Sequence, residues 1–221
     1  MRLSWWKLVT VLLLLFVVIA GLLFDVPHLD ILNETIRNLY FHVPMWFGMI
    51  TMLFISAVYS IIYLRSGKAA VDIAACEFAN SGIVFGILGL ITGMIWAKFT
   101  WGAFWSSDPK QNAAAIGLLL YLAYFVLRAS FSDDQQRARV SSVYNLFCYP
   151  ALVVLLIILP RMTDSLHPGS GGNPGFSSYD LDNRMRLVFY PAVIGFILLG
   201  VWITSLRIRI RKVKNNLYGI S

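Results

Sequence analysis

Six stretches of mostly apolar residues, separated by short polar connectors, run along this 221-residue chain. They fall at about 7–24, 43–64, 78–97, 113–128, 143–160 and 187–206, each close to the ~17–25 residues that cross a bilayer as an α-helix. None of the connectors is long enough for a separate folded domain. The pattern therefore predicts an all-α integral membrane protein, a single polytopic domain over 1–221 built as a six-transmembrane-helix bundle. The first run, from Leu8 to Phe24, follows a basic start as a signal peptide would. It is longer than a usual signal core and lacks a small-x-small cleavage site, so it is read as a retained span.

Within that frame, finer features add local expectations. Gly82, Gly86, Gly89 and Gly93 recur at intervals of three or four in the third span, the spacing at which small residues let helices approach closely. Asp72 and Glu77 precede that span, where carboxylates suit the amino end of a helix. The stretch from Asp30 to Tyr40 has the pattern of a short amphipathic helix, with Ile31, Ile36 and Leu39 toward the membrane. Pro44 falls at the mouth of the second span, and Pro150 predicts a kink in the fifth.

Composition agrees with lipid as the solvent. The chain is 58% hydrophobic and 13% charged, with a mean hydropathy of +0.72, and a soluble domain of this size has no interior large enough for so much apolar surface. The net charge of +7 would point to nucleic acid in a soluble protein. Here twelve of the 18 basic residues fall on one side of the alternating spans and six on the other, which by the positive-inside rule predicts both termini in the cytoplasm. The basic excess thus reports topology, and no nucleic-acid site is read from it. Cys76 and Cys148 form neither a Cys-x-x-Cys pair nor a Cys-x-x-Cys-His haem attachment motif, and both are read as buried apolar residues.

The candidate chemistry gathers on the predicted outer connectors: an aromatic loop at about 97–112 and histidine-bearing loops at about 25–42 and 161–186. The aromatic segment reads Trp96-Ala-Lys-Phe-Thr-Trp-Gly-Ala-Phe-Trp-Ser-Ser-Asp-Pro-Lys110. If it is helical, Trp101 and Trp105 share one face and form a platform for a flat apolar ligand. An aromatic belt at the membrane surface accounts for the same spacing. Asp108 before Pro109 has the form of a helix cap. His42, in Tyr40-Phe-His-Val-Pro-Met-Trp46, suits either a hydrogen-bonding or a metal-binding role. His167 is the sole histidine of the last outer loop. Two imidazoles flanking an aromatic face is the arrangement a haem needs, with nitrogen ligands for iron and indoles for the porphyrin. Arg161, Arg184 and Arg186 can then pair with propionates. Zinc fits less well, because the outer face offers no cysteine and only scattered carboxylates.

The segment Trp101-Gly-Ala-Phe-Trp-Ser-Ser-Asp108, followed by Pro109, resembles the tryptophan-rich WWD motif of the haem-handling proteins of cytochrome c biogenesis. Together with the six-span length, Phe41-His-Val-Pro-Met-Trp46 and Ser165-Leu-His-Pro-Gly169 resemble the CcmC family, over most of the chain. Where the family usually has a further tryptophan before the aspartate, this chain has Ser107, and Phe104 stands where some members have tryptophan. The Asp108-Pro-Lys110 ending is closer to CcsA-type proteins, which are generally longer and carry histidines within their spans.

The resemblance implies that Trp101, Gly102, Trp105 and Asp108 hold a non-covalent, b-type haem at the outer face of a bacterial inner membrane. It also implies that His42 and His167 ligate its iron. The partners it implies are a CcmE-like haem chaperone, a CcmAB-type ABC transporter, a CcmD-like small protein and membrane lipid. Delivery of this kind makes the chain a carrier, not an enzyme; His28 matches no motif position and is read as structural. The competing class is a secondary transporter or export subunit, which would place ionisable residues near the membrane midplane. The six apolar runs carry essentially none there. A scaffold whose loops only bind neighbours is the third reading.

Overall fold

The computed structural model describes residues 4–28, 31–167 and 181–218, with the side chain of Tyr218 outside that description. Among the described residues, six helices are long and apolar enough to cross a membrane. They are α1 (Trp5–Leu23), α2 (Leu39–Ser66), α3 (Ala69–Trp101), α4 (Pro109–Ala129), α5 (Asp134–Val153) and α6 (Asn183–Tyr218). The expected segment before the second span is a 3-10 turn, Asn33–Asn38, that leads straight into α2. Ile36 and Leu39 pack onto the core from it, while Ile31 is exposed. Asp30 lies outside the described residues.

Helix α2 is the centre of the bundle, touching α3, α5 and α6, while α1 packs on α6 and α4 on α3 and α5. The closest seam is α2 against α3, and the glycine series explains it. A Cβ on Gly82 would meet Leu53, on Gly86 Met49, on Gly89 Trp46 and on Gly93 His42, all at 3.0 Å or less. Steps of three and four on one helix are matched by the same steps, run backwards, on the other. This is the small-residue seam read from the sequence, and its last position seats a histidine.

Several polar residues inside the bundle bond to one another. Asn145 of α5 donates to Ser56 and Ser60 of α2 and accepts from Tyr121 of α4, while Ser56 donates to the Ala75 carbonyl of α3. Four helices thus meet at one hydrogen-bonded node. Asn145→Ala is expected to cost about 1–2 kcal/mol, the range for such bonds between membrane helices, read as a lower unfolding midpoint in detergent.

Helix α3 begins nine residues before the expected boundary of 78. Asp72 and Glu77 are therefore residues of the helix and not of a connector before it. The reason is charge pairing. Arg128, next to last in α4, makes a two-pronged salt bridge to Asp72, and Glu77 is held by Arg207 and Arg211 of α6. With their charges matched, both carboxylates are buried in the bundle at a cost that would otherwise exclude them.

Pro44 sits inside α2, past its first turn, and Pro150 inside α5. The expected disturbance of the fifth span appears just after Pro150, where α5 widens into a π-helical turn, Val154–Ile158, and tightens into a 3-10 turn, Leu159–Arg161. A proline that removes a hydrogen-bond donor is the usual cause. Both cysteines are buried and free. Trp6 meets Trp202 edge-on and the Lys7 ammonium lies over both indoles, so the start of α1 and the end of α6 share one end of the bundle.

Candidate functional site

At the other end meet the start of α2, the end of α3, the start of α4 and the segment that follows α5. The aromatic stretch is helical only as far as Trp101. Gly102 caps α3 in the left-handed region at φ +83, a conformation that glycine adopts without a steric penalty, and Lys98 bonds back to its carbonyl. Trp105 is therefore off the helix, and the shared helical face expected for Trp101 and Trp105 does not form. The indole that partners Trp101 is Trp96, with ring centres 5.2 Å apart and nearly perpendicular. Trp105 and Phe104 are exposed beyond them.

The loop that carries those residues is clamped from α4. Buried Gln111 accepts from the backbone and hydroxyl of Ser106 and donates to the Phe104 carbonyl. Ser107 adopts φ +58, a left-handed backbone that a bulky side chain rarely takes. Serine at this position accordingly suits the turn that this loop makes.

Asp108 caps α4, accepting from the Lys110 N–H, with Pro109 at the first helical position, as its sequence context predicts. Its carboxylate does more than cap. It also accepts from the Ser165 hydroxyl, from the Leu166 N–H at 2.7 Å and from His167 Nδ1 at 3.0 Å. The Asp108 side chain is 1% exposed and that of His167 is 23% exposed. Burial works to raise the Asp108 pKa, but the Leu166 and Ser165 bonds, the nearby His167 and the Lys110 N–H together hold it below its ordinary value. At His167 burial lowers the pKa, Asp108 opposes that and Lys110 adds to it, for a net fall. The outcome at neutral pH is a carboxylate facing a neutral imidazole, whose Nδ1–H donates and whose Nε2 carries the lone pair.

His167 stands against the tryptophans. Its ring centre is 4.8 Å from that of Trp101 and 6.3 Å from that of Trp96. His42 reaches the same end from the first turn of α2, lying on Gly93 of α3 with its Nδ1 on the Thr92 hydroxyl at 3.1 Å. An open cleft of about 280 Å³ adjoins the two histidines, lined by Glu34, Thr35 and Asn38 from the 3-10 turn and by Thr92, Ile95, Trp96 and Phe99 from α3. It therefore shares Thr92 with the His42 seat and Trp96 with the His167 seat.

Of the six site residues expected from the sequence, His42, Trp101, Asp108 and His167 are held in this cluster by the contacts above. Gly102 contributes by ending α3, and Trp105 lies outside the packed group. Trp96, Ser165, Gln111 and Thr92 were not singled out. Trp96 stands in the quoted aromatic segment and had a signal there; the other three are ordinary polar residues whose roles depend on contacts remote in sequence. Arg161 and Arg184 are exposed at the same end, and His28 is exposed after α1. Pro168, Gly169 and the rest of the last outer loop up to residue 180 lie outside the described residues.

The family model described as heme exporter protein C, CcmC, matches residues 1–218. The heme exporter protein C of Haemophilus influenzae is 28% identical over 189 residues, covering 83% of this chain and 74% of that protein. That of Rhodobacter capsulatus is 28% identical over 211 residues, 94% of this chain and 85% of its own length. That of Escherichia coli K12 is 26% identical over 177 residues, with 80% and 70% covered. A match that runs through all six membrane helices and both histidine-bearing segments extends well beyond one tryptophan-rich loop, and the chain belongs to the CcmC family.

Proposed function

We propose that the protein holds haem at the histidine end of its bundle, at the outer face of a bacterial inner membrane, and delivers it to a CcmE-like chaperone. One observation carries the reading. Two histidines from separate segments reach the same tryptophan-lined end, and one of them is tethered through Nδ1 to a buried carboxylate, with no partner for its Nε2 among the described residues. A carboxylate on the second nitrogen is how proteins commonly fix the tautomer and direction of a ligating imidazole. The donor set fits haem: two neutral imidazoles for iron, and flat rings of Trp96 and Trp101 beside His167 for a porphyrin edge. The names of the curated relatives, heme exporter protein C, support the same cargo.

Each residue then has a task. Asp108, with Ser165, sets the direction of His167. Gly93 and Thr92 set His42 in the seam between α2 and α3. Gly102 and Gln111 turn and fix the loop that presents Phe104 and Trp105 to the surface, where an acceptor would meet the cargo. Neither cysteine belongs to a haem attachment motif, so the haem is held non-covalently, as a b-type group. Bound, it would supply an iron for the imidazoles of His42 and His167 to hold. Delivery needs binding and release with no substrate bond broken, and the protein is read as a carrier and not as an enzyme. A CcmAB-type transporter and a CcmD-like protein complete the assembly in this reading, and the charge bias of the connectors supports a cytoplasmic location for both termini.

The test is transfer. Detergent-purified protein loaded with haem is mixed with a soluble CcmE-like acceptor, and the haem absorption is followed on each after separation. Movement to the acceptor faster than from an equal concentration of free haem is the expected result. Equal rates from both sources contradict delivery.

A further inference from the structure

The two histidines differ in what occupies their Nε2 atoms. At His167, Nδ1 is held by Asp108 and no described residue bonds Nε2. At His42 both nitrogens are engaged. Thr92 Oγ1 lies 2.8 Å from the Leu88 carbonyl and 3.0 Å from that of Gly89, to which it donates, so it accepts from His42 Nδ1. The Trp46 indole N–H, one helical turn along α2, can only donate and lies 3.2 Å from His42 Nε2. His42 is thus the Nδ1–H tautomer, with its remaining lone pair covered by a neighbour on its own helix. The indole is seated by Gly89, where a Cβ would meet the Trp46 ring at 3.0 Å.

One lone pair cannot serve an N–H and an iron together. We propose that Trp46 is a positioning residue that caps His42 Nε2 and so orders ligation, with His167 engaging iron first and His42 only after the indole has moved aside. This rests on the haem reading above and adds to it a means of release. When the indole returns, its N–H reclaims the lone pair, His42 leaves the iron, and a single histidine is left for an acceptor to displace. The different Nε2 environments of the two histidines carry this inference, independent of the tryptophans of the outer loop.

Two measurements test it on the detergent-purified full chain: nitrogen-15 NMR of histidine-labelled apo protein, and stopped-flow mixing with ferric haem. Wild type is expected to show a fast high-spin phase, from His167 alone, followed by a slower low-spin phase as His42 joins. In Trp46→Phe the slower phase should accelerate about fivefold, the factor that one lost hydrogen bond is worth, with the fast phase unchanged. The His42 Nε2 resonance should move toward that of an unbonded nitrogen while Nδ1 stays in place. Gly89→Ala, whose methyl crowds the indole and shifts it by a few tenths of an ångström, should act in the same direction but more weakly, and His42→Ala should lack the second phase. A second phase unchanged in Trp46→Phe overturns the proposal, because the cap then controls nothing. Loss of that phase, as in His42→Ala, also overturns it by making Trp46 a mere support for the ring. Single-phase binding to wild type overturns this proposal alone, whereas a wild type that takes up no haem overturns it together with the haem reading.

Discussion

Asp108→Ala is expected to weaken haem binding by roughly 10- to 100-fold, the range for losing the partner that orients a ligating histidine. The carboxylate joins three things: the amino end of α4, the backbone at Leu166 and the imidazole of His167. Removing it frees the ring to rotate and releases the segment that carries it. The helix cap is lost as well, at about 1 kcal/mol of stability. Asp108→Asn separates the two effects, because an amide still accepts from Lys110 but is a weaker acceptor for the imidazole N–H. Haem titration followed at the Soret band reads the affinity, and thermal unfolding reads the cap. If Asp108→Asn binds haem as wild type does while Asp108→Ala merely unfolds earlier, the aspartate is a cap and nothing more.

Gly93→Ala is expected to remove His42 from the site without touching a ligand. The added methyl would stand 2.6 Å from the His42 ring carbon Cε1, a separation that no packed side chain tolerates, so the imidazole must leave its seat. A loss of about 10- to 100-fold in affinity is expected by the same reasoning as for a lost orienting contact, with a spectrum close to that of His42→Ala. Gly82→Ala is the control. Its methyl would stand 2.7 Å from Leu53 in the same seam, toward the opposite end of the bundle, and overpacking there costs about 1–3 kcal/mol. It should lower the unfolding midpoint and leave the haem spectrum of the folded protein unchanged. Identical spectra for both variants would mean that the seam acts only through overall stability.

The number of spans was legible because lipid imposes a strict requirement on length and apolarity, which the runs from Leu8 and from Leu187 state openly. The glycine seam was legible for a similar reason, since its spacing is local. The extent of α3 was not, because Asp72 and Glu77 read as carboxylates at the amino end, ahead of the span, until Arg128 and Arg207, 56 and 130 residues away, are seen to pair with them inside it. The condition under which Trp101 and Trp105 would share a face fails because Gly102 stops the helix with a backbone angle that the tryptophan spacing does not reveal. That one angle exchanges Trp105 for Trp96 as the partner of Trp101. For Asp108 the sequence offered a helix cap and, by resemblance, a place in the haem platform; its bond to His167, 59 residues away, was not legible, and one carboxylate with two oxygens serves both the cap and that bond.

His42 and His167 as the ligands of one haem iron are the central claim, and the visible absorption spectrum of purified protein loaded with haem tests it most directly, beside His42→Ala and His167→Ala. Wild type is expected to give a low-spin, six-coordinate Soret spectrum. Each single variant should shift toward five-coordinate, high-spin haem, and the double variant should lose the bound spectrum. A wild-type spectrum that survives in either single variant would contradict the claim for that histidine, and one that survives in the double variant would place the haem elsewhere.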